Sequence, residues 1–166
     1  MIAFDPIYTH PVPQNHRFPM EKYALLYEAL LWEGIAEPTD FFTPEPASFE
    51  QLILVHSPTY VRQFLSLTLP QREAIRIGFQ QSEQLVRREV SLVGGTLQGA
   101  QYALENGCAF NIAGGTHHAF SNRGEGFCML NDQAVAAAYL LKHLRISPIL
   151  IIDLDVHQGN GTAEIF

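Results

Sequence analysis

The sequence is short of charge, of cysteine and of long apolar runs, and each shortage excludes something. Charged residues make up only 16% of the 166 residues, against 47% hydrophobic, which excludes a disordered or coiled-coil composition. Among the charges, 10 basic residues stand against 17 acidic ones, a formal net charge of −7, so no basic surface for nucleic acid is expected. The same balance is compatible with basic peptide partners. Two cysteines, Cys108 and Cys128, both in apolar stretches, make no disulfide framework. No apolar run approaches the ~20 residues that a membrane helix needs. The opening Met1-Ile2-Ala3-Phe4-Asp5-Pro6 lacks the basic start of a signal peptide. A soluble, cytoplasmic protein with no membrane and no direct nucleic-acid partner is the expectation. No repeat, low-complexity tract or linker divides the chain, so one domain is expected.

Local pattern supplies the elements. Ile2 to Tyr8 reads as a short extended piece. Pro19 suits the first turn of a helix through about Trp32, with Tyr23, Leu26, Tyr27, Leu30 and Leu31 on its apolar side and Gly34 as its stop. Gln51 to Val55 reads as a strand, and Pro58 to Leu65 as a short helix. Pro70 to Glu105 reads as helical segments broken around Gly78. The last carries a stripe of Val90, Val93, Leu97, Ala100 and Leu104 and ends at Asn106-Gly107. Its small residues Gly94, Gly95 and Gly99 would let another element approach closely. Cys108 to Ile112 is a short apolar strand. Asn131 or Asp132 can cap a helix through Leu144, apolar almost all round and so expected to be buried. Pro148 to Leu154 is apolar on both faces, as in the middle of a parallel sheet covered by helices. The order is that of an α/β fold, a parallel sheet flanked by helices, whose sites lie at the carboxyl ends of strands.

Three segments at such ends carry candidate chemistry. Gly114-Gly115-Thr116-His117-His118 follows a strand, and its glycines let the backbone turn sharply. Asp153-Leu154-Asp155-Val156-His157 ends the most hydrophobic strand. Strand side chains alternate, so Asp153, Asp155 and His157 share one side while Leu154 and Val156 point away. Two buried carboxylates are costly without a cation or donors. A carboxylate and an imidazole two residues apart offer oxygen and nitrogen donors that a divalent metal accepts. The alternative is carboxylates capping loop amides with His157 merely exposed. The third segment, Gly124 to Asp132, reads on its own as a glycine turn entering a helix cap.

Together the three segments resemble the histone deacetylase family, which pairs a GG-x-HH loop, a GFC-x-x-ND stretch and a D-x-D-x-H-x-G-x-G metal strand in this order. His16-Arg17-Phe18-Pro19-Met20 and His56-Ser57-Pro58-Thr59-Tyr60-Val61 also look like family sequence, so the resemblance covers nearly the whole chain. The run His157-Gln158-Gly159-Asn160-Gly161 is most similar to class IV and bacterial members. The resemblance implies an arginase/deacetylase-like three-layer fold and a single Zn2+ with Asp155 and His157 as two of its ligands. It implies that His117 and His118 handle protons, oriented by Asp153 and Asn160. Residue 160 is Asn where many members have Asp. By the same resemblance Gly126 offers its carbonyl to the substrate amide and Phe127 walls the acyl channel. Arg17 and Cys128 line an inner cavity, and a monovalent cation such as K+ sits on carbonyls near Asp153, Asp155, His157 and Phe166.

The implied reaction is hydrolysis of an N-acyl amide. Partners would be an acetylated lysine peptide or protein, or an acetylated small amine. Zinc would polarise the carbonyl and lower the pKa of a water, and His118 is the expected general base. The family's third zinc ligand and its oxyanion tyrosine come from later segments. Residues 1–166 are therefore expected to be the amino-terminal part of one domain, with self-association through the open face. Two other readings stand beside this one. One is a non-catalytic homologue that binds partners or acylated ligands. The other is an arginase-like binuclear amidohydrolase, which uses a D-x-H-x-D strand and has a bridging carboxylate where Gly159 stands here.

Overall fold

The structure, a computed structural model, describes all of residues 1–166. A parallel sheet in the order β2-β1-β3 lies at its centre, with β1 at Ile2–Ala3, β2 at Phe41–Phe42 and β3 at Phe110–Asn111. Ile2 is in register with Phe41 on one side and Phe110 on the other. Bonds from Phe4 N to Phe42 O and from Ile112 N to Ala3 O lengthen the ladders beyond these short strands. The helices are α1 (Lys22–Trp32), α2 (Phe49–Leu52), α3 (Pro58–Leu65), α4 (Gln71–Ile77), α5 (Glu83–Asn106), α6 (Asp132–Tyr139) and α7 (Asn160–Ile165). A π-helical turn, Leu140–Leu144, continues α6.

The long helix α5 organises the rest. The Ser82 hydroxyl accepts from Leu85 N and starts it, and Gly107, at φ 93°, ends it. The expected stripe is only part of its buried face. Ser91 through Gly95 are buried on every side, while Leu104 is exposed. The helix packs against α6, β1 and β3. A Cβ at Gly94 would collide with the Glu45 carbonyl, so the segment before α2 approaches α5 closely, and Ala47 N donates to Val90 O at 2.9 Å. One apolar cluster ties these elements together, including Tyr8, Met20, Phe64, Leu92, Met129 and Val135.

Several expectations need correction. Residues 51 to 55 are not a strand: Ser48 and Gln51 form a reciprocal capping box that starts α2. The extended opening bends at Pro6–Tyr8 into a 3-10 turn, which the Asp5 side chain caps. In α1 only Tyr23 is buried, and Leu26 on the expected apolar side is exposed. The continuation of α6 is not buried all round, because Leu141 and Leu144 face outward. The largest difference is at 148–154. The segment forms no ladder with another strand, and Leu150, Ile152 and Leu154 are 80, 68 and 92% exposed. Its side chains nonetheless alternate, with Ile149 and Ile151 half-buried against α6 and α7. A parallel strand is fixed by its neighbours' hydrogen bonds as much as by its own sequence, and here no strand hydrogen-bonds to it. No helix is long and apolar enough to cross a membrane.

Candidate active site

The loop after β3 is held from below by one buried carboxylate. Asp132, 1% exposed at the start of α6, accepts from Gly115 N (3.2 Å), Thr116 N (2.9 Å) and the Thr96 hydroxyl (2.6 Å). The Thr116 hydroxyl lies 2.6 Å from Asp132 Oδ1 and 2.5 Å from the Leu130 carbonyl. Asn111 donates to the Thr96 hydroxyl and in turn accepts from Tyr8 Oη. All of these partners are amides and hydroxyls, enough to satisfy a buried carboxylate without a cation.

A second network fixes the far side of the loop. His56, 2% exposed, accepts from Asn131 N at Nε2 and faces the Phe120 carbonyl with Nδ1, both at 2.9 Å. This assigns the Nδ1–H tautomer, and burial pushes the imidazole down to about 4, so it is neutral. The Asn131 side chain caps α6 through Ala134 N and donates to Ala119 O and Thr162 Oγ1, linking loop to α7. Thr162 N donates to the His117 carbonyl at 3.1 Å.

The tandem histidines stand on this support. His117 is 6% exposed, and its Nδ1 lies 2.5 Å from Asp153 Oδ2. His118 Nδ1 lies 2.7 Å from Asn160 Oδ1, an oxygen that also accepts from Gly161 N. With Nδ1 donating in each ring, each Nε2 is left as the acceptor. The two rings are 4.2 Å apart, and His157 is 5.9 Å from His118.

Asp153, Asp155 and His157 face the histidines, while Leu154 and Val156, each 92% exposed, point away. The expectation that these carboxylates are buried does not hold: the side chains of Asp153, Asp155 and His157 are 30, 51 and 73% exposed, because no strand or helix covers the segment. Each carboxylate also caps a loop amide, Asp153 from Asp155 N and Asp155 from His157 N. The His117 hydrogen bond holds Asp153 below the usual carboxylate range, and the His157 N–H does the same for Asp155. Asp155 Oδ1 and His157 Nδ1 converge at 3.0 Å, and Asp155 Oδ1 is 3.9 Å from His117 Nε2. One carboxylate oxygen and one imidazole nitrogen suit zinc. They are two donors only, since no group of three or more His, Cys, Asp or Glu side chains is placed to hold a metal.

Gly126 and Phe127 form the opposite wall. Both have positive φ, 53° and 65°, in a tight turn closed by the Glu125–Cys128 bridge. A Cβ on Gly126 would sit 3.0 Å from the His118 ring, so glycine is needed for both space and conformation. Phe127 N donates to Ile77 O, and its ring packs against Phe18 and Phe79. Cys128 is buried, its thiol directed at the Gly126 carbonyl and pushed up to about 12 by burial.

A cavity of about 390 Å3 joins these walls, and Phe18, Lys22, Tyr23 and Arg88 complete its lining. Arg17 is not part of it. His16 bonds the Gly78 carbonyl and Phe18 N, and Arg17 lies exposed beside it, both lining a separate pocket next to Phe127 while Phe18 faces the cavity. A more apolar cavity of about 580 Å3 lies under Ile149 and Ile151, away from the histidine rings. The sequence marked Asp132 only as a possible helix cap and His56 only as part of a family-like segment, and it did not single out Lys22 or Arg88. Nothing local marks Lys22 or Arg88, because α1 and α5 meet the cavity only in the fold.

Residues 16–166 match the profile of the histone deacetylase domain. An uncharacterized protein from Picosynechococcus sp. is 46% identical over 165 residues, covering 99% of this chain and 55% of that protein. Histone deacetylase 2 of Arabidopsis thaliana is 37% identical, covering 90% of this chain and 40% of its own length. Crystal structures of HDAC homologs, one from Aquifex aeolicus and one complexed with SAHA, superpose with a TM-score of 0.83 at 29% identity. Each comparison covers 99% of this chain and 46% of the other. The chain thus spans about half the length of the curated relatives it matches.

Proposed function

The chain belongs to the histone deacetylase family, and from that premise we propose that the complete protein is a zinc-dependent hydrolase of N-acyl lysine-type amides. The observation that carries this reading is the convergence on one cavity wall of His117, His118, Asp155 and His157. Asp155 and His157 would hold one zinc ion with at least one donor from outside residues 1–166. When bound, zinc supplies Lewis-acid polarisation of the amide carbonyl.

This chain's own residues supply the rest. His118, with Nδ1 engaged by Asn160, presents Nε2 to take a proton from the attacking water and deliver it to the departing amine. His117, fixed by Asp153, holds that water and stabilises developing charge. Gly126 receives the substrate amide N–H on its carbonyl, and Phe127 lines the acyl-lysine path. Acetylated lysine in a peptide or protein, or an acetylated small amine, is the substrate class. A K+ ion on backbone carbonyls near Asp153, Asp155 and His157 and a cytoplasmic location complete the reading. In the complete protein, replacing His118 with Ala should lower kcat on an acetyl-lysine peptide by ~100-fold or more, as for other general bases. Unchanged turnover would remove His118 from the mechanism, and no hydrolysis by the parent protein would remove the reaction itself.

A further inference from the structure

The cavity beside the histidines has two kinds of wall. One is built from the loops at 114–118 and 126–128 with Asp155 and His157, and the other from α1 and α5. The helical wall carries two cations and no ionised partner for one of them. Lys22 Nζ lies 4.7 Å from the Phe18 ring centroid and 5.1 Å from that of Tyr23, so its contacts are aromatic faces rather than a carboxylate. The Arg88 side chain is 2% exposed, with Nε donating to the Tyr8 carbonyl and Nη1 to Glu89, and its guanidinium over the Tyr23 ring at 5.1 Å.

Glu89 pairs with Arg88 through Nη1. It is fully buried, its Oε2 has no partner, and burial pushes its carboxyl up to about 7 despite the adjoining guanidinium. Lys22, with no carboxylate beside it, leaves the α1–α5 wall with more positive charge than it cancels.

We propose that Lys22 and Arg88 form a carboxylate subsite at the end of the acyl pocket, so that the complete protein favours acyl groups with a terminal carboxylate, such as succinyl, over neutral acyl groups of the same length. This rests on the hydrolase reading above and specifies its substrate. Guanidinium and ammonium donors facing a partly desolvated cavity bind a carboxylate through charge-assisted hydrogen bonds. A neutral chain of equal size leaves the Lys22 ammonium without an anionic partner.

The test compares kcat/KM of the complete protein on one lysine peptide carrying acetyl, butyryl or succinyl groups. Succinyl should exceed butyryl, and Lys22→Met should lower that ratio by about 10-fold or more, the worth of one charge-assisted bond, mainly through KM. Lys22→Glu should reverse the preference. Lys22 is exposed, so these variants do not depend on refilling the core. Hydrolysis of acetyl and butyryl peptides with no succinyl advantage overturns the subsite and leaves the hydrolase reading intact. A Lys22 variant that alters only inhibition by free acetate overturns it equally. No hydrolysis of any acylated peptide overturns both.

Discussion

The tandem-histidine loop and the D-x-D-x-H segment meet in one site, yet they are held in opposite ways. His117 is 6% exposed and rests on a loop anchored by Asp132, Thr96 and Asn131. His157 is 73% exposed, and the run leading to it has no strand partner. The loop's geometry is set by side chains that lie within this chain. The D-x-D-x-H segment is held by Asp153 on His117 and by its own loop amides. The histidine loop is therefore preorganised by side chains of this chain, while the D-x-D-x-H segment stays open, with Leu150, Ile152, Leu154 and Val156 exposed on its outer face.

The largest expected effect comes from separating the halves. Residues 1–166 expressed alone should hydrolyse an acetyl-lysine peptide at least ~100- to 1000-fold more slowly than the complete protein, the usual cost of losing one preorganised oxyanion donor. The same polypeptide should self-associate through its exposed apolar face, as measured by sedimentation, and Leu154→Lys should reduce that association. A monomer with full activity would mean that the D-x-D-x-H segment needs nothing beyond this chain.

A smaller effect separates the two supports directly. Replacing Asp132 with Ala strips acceptors from two loop amides, one of them buried, and from the Thr96 and Thr116 hydroxyls, and should cost about 3 kcal/mol or more in urea unfolding. Asp155→Ala, on the exposed segment, should leave the midpoint where it is. Equal losses from the two would erase the contrast between them.

The smallest effect is a pH dependence within α5. The Glu89 carboxyl is raised in the fold to about 7, from ~4.3 in an unfolded chain. The folded state holds this proton more tightly, so the contribution is fully present below ~4.3 and is lost as pH rises through about 7. Glu89→Gln should therefore gain stability relative to the parent as pH goes from ~5 to ~8. A stability difference between the two that does not change with pH would mean that Glu89 is ionised throughout.

Much of this was readable from sequence where the signal is local. Gly78 breaks α4 from α5 as its position suggests, and period-two alternation correctly places Asp153, Asp155 and His157 on one side. The capping box at Ser48 was equally local, but the apolar run Leu52 to Val55 looked like a strand and outweighed it. What could not be read is what neighbours decide. Pro148 to Leu154 has the composition of a central strand, yet pairing belongs to the strands beside it. Arg17 and Lys22 are both cations near the start of α1, and only the fold shows which one lines the cavity. Asp132 looks like a helix cap because its other partners come from Thr96 and the Gly115–Thr116 loop.

The central claim is that Asp155 and His157 contribute to one zinc site shared with the rest of the fold. Elemental analysis of the complete protein, beside its His157→Ala variant, tests it most directly. The account predicts about one zinc per chain in the parent and a large loss in the variant. Two manganese ions per chain, or zinc retained undiminished without His157, would contradict it.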